Sequence, residues 1–363
     1  MRILLISSYH PLPTNSARGT FISDRVELLR SLGHEVKVVN PLPRIMKRNE
    51  MRRSTLSGVA KAPRYSHPMG DEAREVLHPR YFRLPKPSLS IGITNYSLRR
   101  LKSKVIQWLG DWKPDVISCH SVWPVAHLAA ELSKQYGVKW SLTIHGYDFD
   151  VGLNSPQKKC IISLCSSADQ LVIVTKRHEG LTIDMKLKSN CIVIPCHAEV
   201  GAEWEQSMRK PHRRWRRSKL EILFPADPRR PEKRHLLAVR ACAELEDRGW
   251  VVNFGGLKQV PRELVWDRMV SCDLALITSK RETGPLVARE SILCGLPVVG
   301  VDVGDLASWL PARCISTSDT PSAIADAMER VLEGEVDDYS VPKHFLPEQV
   351  GLQLEKLFTL LQE

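Results

Sequence analysis

Two carboxylates stand eight positions apart late in the chain, Glu282 and Glu290, and their settings differ. The stretch 273–305 around them reads as strand (274–278), loop (279–284), helix (285–294), turn and strand (298–302). Pro285 suits the first helical turn, where no amide donor is needed, and Gly295 suits the helix end. On that helix Glu290 falls between Leu286, Val287, Leu293 and Cys294, so a carboxylate interrupts an apolar stripe. Such a group is costly to bury unless something hydrogen-bonds to it. Glu282 lies in the loop before the helix N-terminus, where backbone donors and the helix dipole hold anions. On residue types alone, a satisfied core glutamate beside a solvated one is the first reading. Two ligand-binding carboxylates are the second.

Three further places carry chemistry. The run Asp227-Pro228-Arg229-Arg230-Pro231-Glu232-Lys233 puts cations between a strand and a helix, where an arginine fork and a lysine point charge suit a diphosphate. His145 and Asp148, with Gly146 between them, follow a strand end and are placed to meet a ligand there. Each reads equally well as a turn or capping residue. Gly19 sits where a first loop enters a first helix and lets backbone approach a ligand.

The elements that must position these groups alternate strand and helix. Strands are expected at Ile3–Ser8, Glu35–Val39, Asp115–Cys119, Trp140–Ile144, Gln170–Val174, Cys191–Ile194, Leu220–Pro225 and Trp250–Phe254. Helices are expected at 21–32, 97–109, 124–136, 232–248, 261–271, 321–334 and 347–362. This is the pattern of doubly wound α/β domains. Residues 41–104, rich in proline and arginine, read as an elaborated loop region until the basic amphipathic helix 97–109.

A chain of 363 residues fits two domains with separate cores, and 43% hydrophobic with 26% charged residues is ordinary for a soluble globular protein. The apolar run at the N-terminus is far shorter than the roughly 18 residues a membrane span needs, and no signal peptide or transmembrane helix is read. Nine cysteines without metal-binding spacing fit reduced core thiols and a cytoplasmic setting. Residues 44–104 hold fifteen Lys/Arg against four Asp/Glu, a net +11 equal to that of the whole chain. Such concentration suggests an anionic neighbour, and a peripheral contact with the inner face of the cytoplasmic membrane is expected. No recognised nucleic-acid module accompanies the charge, so no nucleic acid is expected as partner. A second basic run, Arg209–Lys219, reads first as a solvated linker.

The stretch 273–305 closely resembles the signature of family 4 retaining glycosyltransferases, with its two spaced glutamates, its cysteine-containing helix end and the strand entry Gly295-Leu296-Pro297-Val298-Val299. Arg18-Gly19-Thr20-Phe21 with Gly33-His34-Glu35-Val36, and Thr143-Ile144-His145-Gly146-Tyr147-Asp148, are similar to the family's first loop and His-Gly loop. Pro79–Pro85 resembles a segment of bacterial exopolysaccharide- and lipopolysaccharide-type members.

The resemblance implies the GT-B architecture, two Rossmann-like doubly wound domains facing a central cleft. The domains would be 1–199 on the acceptor side and 220–346 on the donor side, joined by 200–219, with 347–363 crossing back to the first. It implies a nucleotide-sugar co-substrate, expected as a UDP-sugar, a sugar or lipid-linked acceptor, and neither cofactor nor metal. Lys233, Arg230 (with Arg229 second) and the amides over Gly284, Pro285, Leu286 and Val287 would take the charge of the leaving diphosphate. Glu290 would hold the ribose, Glu282 and His145 would face the transferred sugar with Asp148 nearby, and Gly19 would lie against the phosphates. Two departures stand out: the usual arginine position falls on Asp227, and Pro195-Cys196-His197-Ala198-Glu199 replaces the family's Pro-Asn-Gly-Val-Asp. An epimerase on the same fold and a non-catalytic sugar- or anionic-surface-binding protein remain as alternatives.

Overall fold

The computed structural model describes residues 1–46, 50, 56–84, 87–185, 191–206, 219–258, 260–334 and 340–363. Most of the basic run Arg209–Lys219 therefore lies outside the described residues. The chain falls into two compact units, Met1–Pro195 with Val350–Glu363, and Cys196–Gln349.

The first unit contains β1 (Arg2–Ser7), β2 (Glu35–Val39), β3 (Leu42–Pro43), β4 (Tyr65–Ser66), β5 (Val76–Leu77), β6 (Arg80–Tyr81), β7 (Val116–His120), β8 (Trp140–Ile144), β9 (Gln170–Ile173) and β10 (Cys191–Val193). Eight of them form one sheet in the order β10-β9-β8-β7-β1-β2-β5-β4, parallel except for the β4–β5 pair; β3 and β6 pair separately. The central strands are apolar runs buried on both faces, as a parallel sheet between helical layers requires. Alternation along β1 shows the two layers. Leu4 and Ile6 join one core with Leu128 and Leu132 of the helix Ala126–Tyr136. Ile3 and Leu5 join the other with Ile22 and Val26 of the helix Thr20–Ser31, and with Leu354 and Phe358 of the terminal helix Pro347–Gln362. Sequence order reverses at β1, which has β2 on one side and β7 on the other, opening a switch point at their carboxyl ends.

The second unit repeats the plan with β11 (Lys219–Phe224), β12 (Val251–Gly256), β13 (Leu274–Ile277) and β14 (Val298–Gly300), all parallel in the order β12-β11-β13-β14. The helices His235–Asp247 and Pro321–Glu333 contribute Ala238, Ala241, Ile324 and Met328 to its core. Its switch point lies between the ends of β11 and β13.

Three expectations need correction. The helix over 232–248 does not start at Glu232: a 3-10 turn, Pro231–Lys233, comes first, and Arg234 at φ 52° breaks the path before His235. The single helix over 97–109 is two, Pro87–Arg99 and Lys102–Leu109. The apolar face of the second is turned inward, with Val105 and Leu109 buried, so that face is not available to a membrane. Among its described residues the loop region 41–104 also holds four strands of two residues each, β3 to β6.

Candidate active site

In the second unit the turn after β11 is stitched to the loop after β13. The Thr278 hydroxyl donates to the carbonyls of Lys233 (2.9 Å) and Arg234 (3.2 Å). The Arg234 guanidinium donates back to the carbonyls of Thr278 (2.5 Å) and Ser279 (3.2 Å), and the Lys280 amide donates to the Glu232 carbonyl at 2.8 Å. These bonds fix the left-handed backbone at Arg234, an unusual conformation for a side-chain-bearing residue. They bring Lys233 and Glu282 into an ion pair whose side chains are only 12% and 15% exposed. Arg234 is the residue that sequence reasoning missed here. No local signal marks an arginine for positive φ.

Arg229 and Arg230 are held differently. Arg229 forms a fork on Asp227 with contacts of 2.6–3.2 Å, and that guanidinium holds the Asp227 carboxyl below its usual range. Arg230 binds Glu232 at 2.7 and 2.8 Å. Both stand-ins for the displaced arginine are thus engaged with carboxylates of their own turn.

Glu290 is 6% exposed and accepts from Arg262 of the helix Arg262–Ser271 at 2.5 Å. Arg262 also lies over the Trp266 ring at 4.9 Å and donates to the Glu199 carbonyl at 3.3 Å. A protein cation therefore supports this carboxylate on its apolar stripe, and the pairing, 28 residues apart, left no mark in the local sequence pattern.

The helix spans Leu286–Leu293, with Pro285 as its N-cap rather than its first residue. Pro285 has no amide hydrogen, so the anion-facing donors at this end reduce to Gly284, Leu286 and Val287. Gly284 is required by packing: a Cβ there would lie 2.8 Å from the Arg289 guanidinium and 2.9 Å from the Asp305 carboxylate. Those two groups form a buried ion pair, and Arg289 also lies over the Phe345 ring at 3.5 Å. At the far end Gly295, at φ 69°, closes the helix as expected.

In the first unit Gly19 adopts φ 67°, and a Cβ would meet the His10 nitrogen at 2.7 Å. The approach it permits in this structure is that of the loop's own backbone. His145 follows β8, its Nε2 2.9 Å from His120 Nδ1, with Phe21 against the ring at 4.9 Å. Burial and then Arg25 pull the His145 pKa down to about 3, so the ring is neutral and serves hydrogen bonding rather than acid catalysis. Asp148 is buried and accepts from the amides of Val122 (2.8 Å) and Trp123 (3.3 Å), which fixes the loop after β7. The tripeptide Asp148-Phe149-Asp150 has literal Asp-x-Asp spacing, which the metal-free reading of the sequence overlooked. Asp150 accepts from His178 at 3.0 Å, so the two carboxylates serve separate partners.

Residues 19–197 match the model of the glycosyl transferase 4-like domain. The chain is 25% identical over 342 residues to a putative teichuronic acid biosynthesis glycosyltransferase, TuaC, of Bacillus subtilis (strain 168), covering 85% of this chain and 82% of that one. Two solved structures share the whole fold at low identity. Sucrose-phosphate synthase from Thermosynechococcus elongatus superposes with a TM-score of 0.65 at 18% identity, over 99% of both chains. A UDP-forming α,α-trehalose-phosphate synthase from Burkholderia xenovorans superposes with 0.67 at 12% identity, over 100% of both. With the spaced glutamates, the His-Gly loop and the lysine turn each at the carboxyl edge of its own sheet, the chain has the GT-B fold of these structures and carries, over residues 19–197, a match to the glycosyl transferase 4-like domain.

Proposed function

We propose that this enzyme moves a sugar from a nucleotide-diphosphate donor to an acceptor hydroxyl with retention of anomeric configuration, in the assembly of a cell-surface polysaccharide or glycoconjugate. The observation that carries the reading is the Lys233–Glu282 pair at the β11/β13 switch point, beside the N-terminus of the helix that bears Glu290. The similarity to a teichuronic acid glycosyltransferase supports the polymer class.

In the reaction the acceptor oxygen attacks the anomeric carbon on the face from which the diphosphate departs. The bond from that carbon to the diphosphate oxygen breaks, and the acceptor's proton passes to the departing oxygen. Positive charge grows on the sugar and negative charge on the diphosphate. Lys233 and the amides of Gly284, Leu286 and Val287 stabilise the diphosphate, a role open to fixed donors without a divalent ion. Glu282, already beside Lys233, orients that ammonium and lies close enough to the reacting sugar to ease its positive charge. Glu290, held by Arg262, accepts from the ribose hydroxyls. Neutral His145 donates or accepts a hydrogen bond at the sugar.

A thermal-shift screen across UDP-, GDP- and ADP-sugars tests the donor, with a UDP-sugar expected to stabilise the protein most. NMR of the first product then reads the anomer. Inversion, isomerisation of the donor without acceptor, or no stabilisation by any nucleotide sugar would overturn the reading.

A second feature favours a membrane-bound acceptor. No helix among the described residues is long and apolar enough to cross a membrane. Yet Phe82, Ile93 and Tyr96 are about half exposed or more, and Arg44 and Arg100 lie against Phe82 and Tyr96. Apolar side chains ringed by arginine suit the surface of an anionic bilayer. Sedimentation with vesicles containing anionic lipid should carry the protein down, and equal sedimentation with neutral vesicles would contradict this.

A further inference from the structure

The carboxyl edge of the first unit carries a second group of polar side chains that the donor chemistry leaves unused. Val39 pairs with Leu77 and Ile6 with Val39, so Ser7, Asn40 and His78 close three adjacent parallel strands in register. The Asn40 amide hydrogen goes to the Leu77 carbonyl at 2.8 Å, and His78 Nε2 is 2.7 Å from the Ser66 hydroxyl. Asn40 and His78 are both 0% exposed. Neither the Oδ1 nor the Nδ2 of Asn40 has a hydrogen-bond partner. A buried amide left in this state costs roughly 1–3 kcal/mol, and native proteins rarely keep one without a use for it.

The rim of this group is cationic. Arg18, from the loop after β1, donates to the carbonyls of Ser8 (2.5 Å) and His10 (3.1 Å), and its Nε is buried without a partner. Arg80 likewise donates to the carbonyls of Val59 (2.7 Å) and Ala62 (2.6 Å). Among the described residues neither arginine forms an ion pair. Burial, and the positive charge of Arg18 and Arg80 around it, hold the His78 ring neutral, with its pKa down to about 3. His10 is neutral for the same first cause, its pKa lowered to about 4. Among the described residues Glu50 is the carboxylate that acts on this group, through Arg80, and its own oxygen accepts from the Ala60 amide. The cluster thus presents an unfilled amide donor beside two guanidinium groups held mainly by carbonyl dipoles, with the Tyr9 ring against Arg18 and Glu50 acting on Arg80.

We propose that Asn40, His78 and Arg18 form a subsite for an anionic group, a carboxylate or a phosphate, carried by the acceptor. Asn40 Nδ2 and Arg18 Nε donate to the anion, and the neutral His78 ring lines the floor. The word acceptor rests on the glycosyl-transfer reading above; the preference for an anion rests on the cluster alone. An acceptor with a negative group fits the site, and its neutral analogue leaves the Asn40 amide unfilled, which is the kind of difference from which large discrimination arises.

Calorimetric titration of the full chain with a matched set, glucose, glucuronate and glucose 6-phosphate, tests this. The two anions separate carboxylate from phosphate, and at least one should bind tenfold or more tightly than glucose. Asn40→Asp and Arg18→Gln should each weaken that anion by tenfold or more, while the affinity for UDP, read in the same samples, stays at the wild-type value and reports intact folding. Equal affinity for all three sugars, or wild-type anion affinity in both variants, would overturn the subsite. Failure of the wild-type chain to bind any nucleotide would count against the donor reading instead, and leaves the anion preference to be judged on its own data.

Discussion

Glu290 keeps its carboxylate inside the second unit because Arg262 reaches it from another helix. Removing that partner leaves a charge among Leu286, Val287 and Leu293 with its cation gone. Arg262→Ala should lower stability by about 3 kcal/mol, at the lower end for a broken buried pair, as read by urea unfolding. A loss under about 0.5 kcal/mol, the size expected of an exposed pair, would contradict this account. Lys233 differs because its role belongs to the transition state. Lys233→Ala should reduce kcat about 10²- to 10³-fold with a smaller change in donor KM, since the diphosphate gains charge only as the bond breaks. An unchanged kcat would remove Lys233 from the chemistry.

At the scale of elements, the loop before the helix Leu286–Leu293 is shaped by what packs on it. Gly284 has an ordinary φ but no room for a Cβ beside Arg289 and Asp305. Gly284→Ala should cost about 1–3 kcal/mol through displacement of that pair, and a thermal melt unchanged from wild type would show that the loop yields freely. Glu35–Val39 and Trp140–Ile144 are read to the residue, because valines at alternate positions after Gly33-His34 and a largely apolar run after Gly137 announce strands. Glu282 and Lys233 stand in the loops after β13 and β11, and Glu290 within the helix Leu286–Leu293, where the sequence puts them. The hidden parts are of two kinds. Arg234 breaks the helix at 232–248 through bonds to Thr278 and Ser279, 44 and 45 residues away, and Arg262 supports Glu290 across 28; neither leaves a periodic trace. The strands β3 to β6 are two residues long, too short to show alternation, and so the segment 41–104 reads as a loop.

For the molecule as a whole, buried histidines dictate how the first unit responds to acid. His10, His78 and His145 have pKa values lowered to about 4, 3 and 3, first by burial, and His120 is lowered for the same reason. The unfolded chain takes up these protons near pH 6.5 while the folded chain refuses them, so it binds more protons when unfolded. This stability is complete above about pH 6.5 and drains away as pH falls toward 3. His127 is lowered to about 4 in the same way, and Asp148, its pKa raised to about 6 by burial, acts in the opposite sense between about pH 4 and 6 but is one group against five. The melting temperature should fall continuously from pH 7 to pH 4, and a flat profile would contradict the neutral assignment of these rings. The central claim, that the Lys233–Glu282–Glu290 arrangement is a nucleotide-diphosphate site, is tested most directly by calorimetric titration of UDP, GDP and ADP into the wild-type chain and the Glu290→Ala variant. One nucleotide, expected to be UDP, should bind the wild type and weaken tenfold or more in the variant. Wild-type affinity in Glu290→Ala, or no binding of any of the three to the wild type, would contradict it.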